Sequence, residues 1–291
     1  MSLPVEKAFE LLTENYSKTL EAVESKMLDI NQVECPVVHR FGPGIYIREV
    51  TIPADSFAIG HKQNFEHMNV FLKGRVTMLN EDGSTTELKA PMIFVGQPGR
   101  KIGYIHEDMV WLNIYATNET DIEKLEAHYL TKSLSWQEKQ DIEKGRVDLQ
   151  AEIDKQDFKK AIEELGFDEQ TVKEQSENKD DMIEMPYGEY KFKIGDSKRD
   201  GKGIFATSSF TDNEVIGFAR IKGKRTILGR FTNHSKDPNA HFIQTRMGDI
   251  ILVSFKKING CTGGNDGDEI TVDYRQSVKL TKNIGRDQCQ V

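Results

Sequence analysis

Hydrophobic positions recur at two different periods along this chain, and the period changes three times. Over residues 4–30, Phe9, Leu12, Tyr16, Leu20, Val23, Met27 and Ile30 are spaced by threes and fours. That spacing puts them on one face of a helix. Such a face either docks on the chain's own next domain or pairs with a second copy as a dimerising helix. Four strand-like runs follow: GIYIREVTI, NVFLKGRVTML, PMIFVG and MVWLNIYAT. Turn signals separate them, notably Gly42-Pro43-Gly44, Asp82-Gly83 and Gln97-Pro98-Gly99. Strands at this spacing with no helix between them predict a β-barrel or jelly roll.

Residues 121–180 return to helical spacing and turn polar. Leu149 and Ile153 share one face, as do Phe158, Ile162 and Leu165. This predicts one or two helices bridging two domains. The stretch QSENKDD at 175–181 reads as an exposed hinge. The strand pattern then resumes and lasts to about Tyr274. The expected architecture is mainly β with two domains. An N-terminal helix occupies 1–35, a β-barrel 36–120, a helical linker 121–182 and a second β-domain 183–291.

Composition narrows the class. Apolar residues make up 37% and charged residues 30%, as in a folded globular chain rather than a disordered one. No apolar run is long enough to span a membrane. The opening MSLPVEKAFELL is charged early, so no signal peptide is expected. Cys35, Cys261 and Cys289 are scattered and never form a CxxC pair, which fits a reducing, cytoplasmic setting. The net charge of −8 argues against a general nucleic-acid binder. The charge is uneven: residues 131–182 hold 15 acidic and 9 basic side chains, and residues 220–257 hold 9 basic and 2 acidic ones.

Three blocks in the C-terminal part carry chemistry. The first is DGKGIFATSSFTDNEVI at 200–216, where Gly201 and Gly203 allow close backbone approach or positive φ. The second is GRFTNHSKDPNA at 229–240, and the third is GDEITVDY at 267–274. In this order and spacing they closely resemble the SET domain family, over about a third of the chain. The resemblance implies a β-fold with a pseudoknot and S-adenosylmethionine-dependent methylation of lysine in a protein substrate. By position, backbone groups of Lys202, Gly203 and Ile204 would cradle the methionine part of the cofactor. Asn233 and His234 would bind its adenosine end, and Tyr274 would stand beside the methyl sulfonium.

The chemistry of that reaction needs little covalent help. A lysine forced into a narrow apolar channel loses hydration, and its pKa falls. A tyrosine hydroxyl at the channel end then orients the amine or the methyl, and catalysis is mostly positioning. Plainer roles stay open: Tyr274 as a buried strand-end tyrosine, and Asn233-His234 as a turn capping the crossing. Arg230 and Asp237 read as residues that hold the fold. Several departures from the family bear on activity. Lys236 replaces the usual cysteine after NHS, flanking cysteine-rich segments are missing, and RQSVKLTKNIGRDQCQV after Tyr274 has no zinc pattern. Only a short stretch separates Ile216 from Arg230, where the family usually inserts a substrate-recognising subdomain. The basic excess, which includes Arg220, Lys222, Lys224, Arg225, Arg246, Lys256 and Lys257, would repel a lysine-rich tail. It would favour an acidic protein or a nucleic-acid neighbour, unless it is simply a solvated strand face.

In the N-terminal part, His61, Gln63 and His67 share parity, so on one extended strand they would point to the same side. Gly74 follows, and Gly103 and His106 lie on a later segment. This loosely resembles the cupin barrel over about residues 40–117. The resemblance implies a divalent transition-metal site at His61, Gln63, His67 and His106. An empty or small-molecule-binding barrel and a purely structural barrel remain open beside it. His39 and His128 fall outside the pattern and read as surface residues. The leading expectation is a cytosolic lysine methyltransferase whose barrel recognises a partner or assembles a homo-oligomer. The rival is a non-catalytic binding or structural protein that uses the SET fold as a scaffold.

Overall fold

The computed structural model describes residues 16–80 and 82–276. Phe9, Leu12 and Cys289 lie outside the described residues, as does the tail from 277 onward. The chain is mainly β and divides into two compact units. One comprises residues 1–146 with 261–265, the other residues 147–260 with 266–291.

The first unit begins with α1 (Tyr16–Leu28). Leu20 is buried from this helix, in a cluster with Leu79 and Ile102 to which Val23, Phe57 and Tyr104 add. The helix thus docks on its own unit. Ile30, expected on the same face, lies beyond the helix end and is 64% exposed.

The strands of this unit are β1 (Val37–Gly42), β2 (Ile45–Ile52), β3 (Ser56–Ile59), β4 (Lys62–Gln63), β5 (His67–Leu79), β6 (Thr85–Lys89), β7 (Met92–Gly96) and β8 (Ile102–Ala116). After these come α2 (Ile122–Tyr129), β9 (Leu130–Thr131) and α3 (Leu134–Gly145). All main pairings are antiparallel, and the two long strands β5 and β8 pair along their length. Residues 67–71 of β5 pair with β7, and residues 75–79 pair with β6. Residues 109–116 of β8 pair with β2, and residues 102–105 pair with β3.

Each long strand therefore changes its second neighbour along its length within one sheet, and on β5 the irregularity falls at Gly74. The register shifts on both sides of it, as at a β-bulge. Gly74 has φ +102, and a Cβ there would lie 2.7 Å from the Asp108 carbonyl oxygen. Only glycine meets both demands. Phe71, Val76, Ile105, Met109 and Trp111 form the buried cluster inside. His39, read from the sequence as a surface residue, is instead 1% exposed. Its Nδ1 lies 2.8 Å from the Tyr46 hydroxyl and its ring stacks on that tyrosine. Inward parity on β1 outranks polarity here, because a partner satisfies the imidazole.

The second unit opens with α4 (Leu149–Glu164) and α5 (Glu169–Glu177), capped by Asp148 and Asp168, whose carboxylates accept backbone N–H groups of the first turn. Four helices rather than one or two thus occupy 121–180. The buried face of α4 is not the expected Leu149–Ile153 pair, which is 75% and 46% exposed. It is Ala151, Asp154, Ala161 and Ile162. A charged residue interrupts the apolar stripe because it meets Arg199.

The remaining strands are β10 (Gly188–Tyr190), β11 (Phe192–Asp196), β12 (Lys202–Ala206), β13 (Val215–Ile221) and β14 (Lys224–Arg225), then the short helix α6 (Ile227–Phe231), and β15 (Asn233–His234), β16 (Ala240–Gln244), β17 (Ile250–Ser254) and β18 (Glu269–Val272). β11 to β18 form two four-stranded sheets, ordered β11-β12-β18-β15 and β14-β13-β17-β16. Phe192, Ile204, Phe210, Leu228, Leu252, Ile258 and Ile270 fill the core between their faces. No helix among the described residues is long and apolar enough to cross a membrane.

Candidate active site

The site is built where two distant segments run side by side. β15 pairs with β18 in parallel, Asn233 opposite Thr271 and His234 opposite Val272. Ser235 N–H extends the ladder to the Val272 carbonyl at 3.0 Å. The side chain of Asn239 acts as a further rung. Its amide donates to the Glu269 carbonyl at 2.9 Å, and its oxygen accepts Thr271 N–H at 2.9 Å. A parallel pair cannot be closed by a tight turn. The long connection between the two segments is therefore what brings the NHS and DY blocks together.

Tyr274 follows directly. Its hydroxyl donates to the Thr232 carbonyl at 3.1 Å. Its ring lies 5.4 Å from His234 and 5.9 Å, edge-on, from Phe158 of α4. Burial pushes the phenol well above its ordinary pKa, so the hydroxyl stays protonated. The backbone N–H of Tyr274 donates to His234 Nδ1 at 3.2 Å. The imidazole proton therefore sits on Nε2, which faces Asp157 at 3.1 Å. Asp157 is held below its ordinary pKa, first by hydrogen bonding to Arg275 and then by His234. Arg275 also reaches Glu164 on the same helix, at 2.6 Å.

Asn233 Nδ2 contacts Glu269 Oε1 at 2.8 Å, the Lys202 carbonyl at 3.1 Å and the Asp200 carbonyl at 3.3 Å. It therefore ties β15 to the turn before β12. Glu269, 6% exposed at its side chain, also accepts Ser197 Oγ and pairs with Arg199 Nη1, both at 2.8 Å. Arg199 Nε in turn donates to Asp154, a fully buried carboxylate, at 2.8 Å. Asp154 completes its valences with Lys236 N–H and Gln150 Nε2. Asp154, Arg199 and Glu269 thus form one buried, hydrogen-bonded chain of charges.

The first block divides by position. At Gly201 φ is +44, and nothing lies within 4 Å of the point a Cβ would occupy, so that turn can be approached closely. At Gly203 a Cβ would meet Glu269 Oε1 at 2.4 Å, so this glycine makes room for the carboxylate. Lys202 pairs with Asp196 at 2.9 Å. Ile204 is fully buried, with β11 on one side and β18 on the other. The expected basic face is partly neutralised, since Arg220 and Arg225 both pair with Asp181, and Lys256 pairs with Asp237.

Sequence reading missed Asp154, Asp157, Arg199 and Glu269. Glu269 lies inside the third block, where its acidic neighbour Asp268 masked it. Asp154, Asp157, Phe158 and Ala161 share a face at helical spacing, but a polar stripe on an acidic helix reads as solvated.

The candidate metal residues are not brought together. His61 stands outside any strand, edge-on to Trp136, and its pKa is pushed down to about 4, mainly by burial. Gln63 on β4 accepts the Tyr115 hydroxyl at 2.9 Å. His67 on β5 has its Nδ1 3.0 Å from the Phe65 carbonyl and stacks on Tyr115. His106 Nε2 lies 2.7 Å from Thr77 Oγ1. Among the described residues no group of three or more His, Cys, Asp or Glu is placed to hold a metal ion. The chain leaves the strand between β4 and β5, and alternation holds only along an unbroken strand.

Comparison with known proteins assigns the class. The SET domain family profile matches residues 114–275. That is more than half of the chain, which belongs to the SET domain family. No curated protein sequence matches the chain significantly.

Three solved structures are partly similar. A cupin-2 domain-containing protein from Shewanella frigidimarina is 14% identical over 32% of this chain and 91% of its own, with a TM-score of 0.24. An RmlC-like cupin family protein with a double-stranded β-helix fold, from Methanocaldococcus jannaschii, is 16% identical over 32% of this chain and 87% of its own, at 0.25. An ethanolamine utilization protein from Salmonella typhimurium is 14% identical over 27% of this chain, at 0.23. There the match spans 62% of the other protein's length.

Proposed function

We propose that the second unit is an S-adenosylmethionine-dependent methyltransferase acting on lysine of a protein substrate. The observation that carries this reading is Tyr274, held by Thr232 and His234 beside Phe158 at the parallel crossing. The donor set suits the cofactor: an open glycine turn at Gly201, and a carbonyl and a hydroxyl oxygen at Thr232 and Tyr274 that suit a cationic sulfonium. Backbone groups of the Gly201–Gly203 turn, with Asn233 and His234, would hold it. Bound there, S-adenosylmethionine supplies an activated methyl group. Asn233 fixes the turn, and His234 fixes the start of the segment bearing Tyr274. The Tyr274 hydroxyl, kept protonated by burial, orients the incoming neutral amine. The barrel unit would recognise a partner or assemble a homo-oligomer.

One observation favours a second reading, a non-catalytic scaffold. The Asn233 amide and both His234 nitrogens are already engaged by partners within the unit. Calorimetric titration of the full chain with S-adenosylmethionine separates the two. The methyltransferase reading expects saturable binding that Asn233→Ala weakens by about tenfold or more. A folded chain that binds no S-adenosylmethionine would move the assignment to the scaffold.

A further inference from the structure

The barrel of the first unit holds a half-open cavity of about 270 Å³. Small barrels fill their interiors with side chains, so a space of this size calls for an occupant. Its walls are largely apolar, with Val50, Ile52, Val76, Met78, Ile105 and Trp111 among them. Two basic side chains face the same space, Lys101 and Arg48. Lys101 Nζ and Arg48 Nε are buried and have no hydrogen-bond partner among the described residues. The ammonium of Lys101 lies 5.5 Å from the centre of the Trp111 ring. Desolvation holds its pKa below the ordinary lysine value.

Among the described lining residues Glu24 is the single carboxylate; one of its oxygens pairs with Arg100, and Oε2 is buried without a hydrogen-bond partner among the described residues. His61, also in the wall, is held neutral by burial and then by the positive field of Arg48. Among the described residues the cavity wall thus brings two basic side chains together with one carboxylate. Buried charges are ordinarily paired.

We infer that this cavity binds a small organic anion, a carboxylate on an apolar body, anchored by Lys101 and Arg48. The apolar wall takes the body, and the two cations take the head group through charge-assisted hydrogen bonds. The inference concerns the first unit alone and stands whichever reading of the second unit is right.

The test is calorimetric titration of the full chain with sodium octanoate, 1-octanol and octylammonium chloride. Octanoate should bind saturably and at least about tenfold more tightly than 1-octanol, with octylammonium weaker than either. Lys101→Met and Arg48→Met should each cost octanoate about tenfold while leaving 1-octanol unchanged. Failure of folded protein to bind octanoate would overturn the inference. So would equal affinity for octanoate and 1-octanol, or full octanoate affinity in both variants. Should either variant fail to fold, the octanoate and 1-octanol comparison on the unaltered chain decides.

Discussion

Arg199 is the pivot of the second unit, and its removal gives the sharpest test of how that unit is held together. It bridges two carboxylates, Asp154 with 0% and Glu269 with 6% side-chain exposure, through contacts of 2.8 Å each. Arg199→Met keeps the aliphatic stem and removes the charge. Both carboxylates then remain in place, because Lys236 N–H, Ser197 and Asn233 still hold them. Stripping the partner from a buried ion pair costs about 3–5 kcal/mol. A second orphaned carboxylate places this variant at the upper end of that range.

Hydrogen exchange read by mass spectrometry is the suitable assay. Both tryptophans, Trp111 and Trp136, lie in the first unit, so fluorescence would not report on the second. Peptides covering β12 and β18 should lose about 3–5 kcal/mol of protection. Peptides of β5 and β8 should be unchanged. Adding Asp154→Asn and Glu269→Gln to Arg199→Met should restore at least half of the loss, since neutral amides carry no uncompensated charge. A loss below about 1 kcal/mol, the range of an exposed pair, would refute the network. So would a failure of the triple variant to recover any protection.

Three further outcomes are expected. Tyr274→Phe removes one hydrogen bond and should cost about 1 kcal/mol of stability. It should lower methyl transfer by about two orders of magnitude on a substrate identified with labelled donor. Gly74→Ala should destabilise the first unit by at least about 1–3 kcal/mol, because alanine is strained at that φ and its Cβ meets backbone; thermal melting followed by tryptophan fluorescence measures it. For His61, the folded state resists protonation down to about pH 4, whereas the ordinary value is 6.5. The unfolded chain therefore takes up the proton first as pH falls, and stability drops between those values by up to about 3 kcal/mol. Denaturation at pH 7.5 and 4.5 should show a smaller drop in His61→Gln.

Some of the site was readable because motif and chemistry coincide locally. Asn233, His234 and Tyr274 sit in short blocks whose residue types make sense only together, and the structure joins them at one parallel crossing. Gly201 was readable for its backbone freedom. The remaining members came from far along the chain. Asp154 and Asp157 look like ordinary surface acids until Arg199 and His234 are placed opposite them. The histidine pattern at 61–67 assumes a continuous strand, and the chain leaves the strand between Gln63 and His67.

The division has a physical basis. Sequence alone determined what depends on neighbours along the chain: the helical and extended periods, the turns, the glycine positions and the family blocks. Tertiary structure decided what depends on which groups share a low-dielectric space. It chose Asp154 over Leu149 and Ile153 for the buried face of α4, because Arg199 meets it there. It buried His39 against Tyr46 and set Gln63 and His67 against a common neighbour, Tyr115. It also left Lys101 and Arg48 lining a largely apolar cavity, with buried nitrogens that have no hydrogen-bond partner among the described residues. Burial and pairing of charge are properties of three-dimensional neighbourhoods, and no window of sequence contains them.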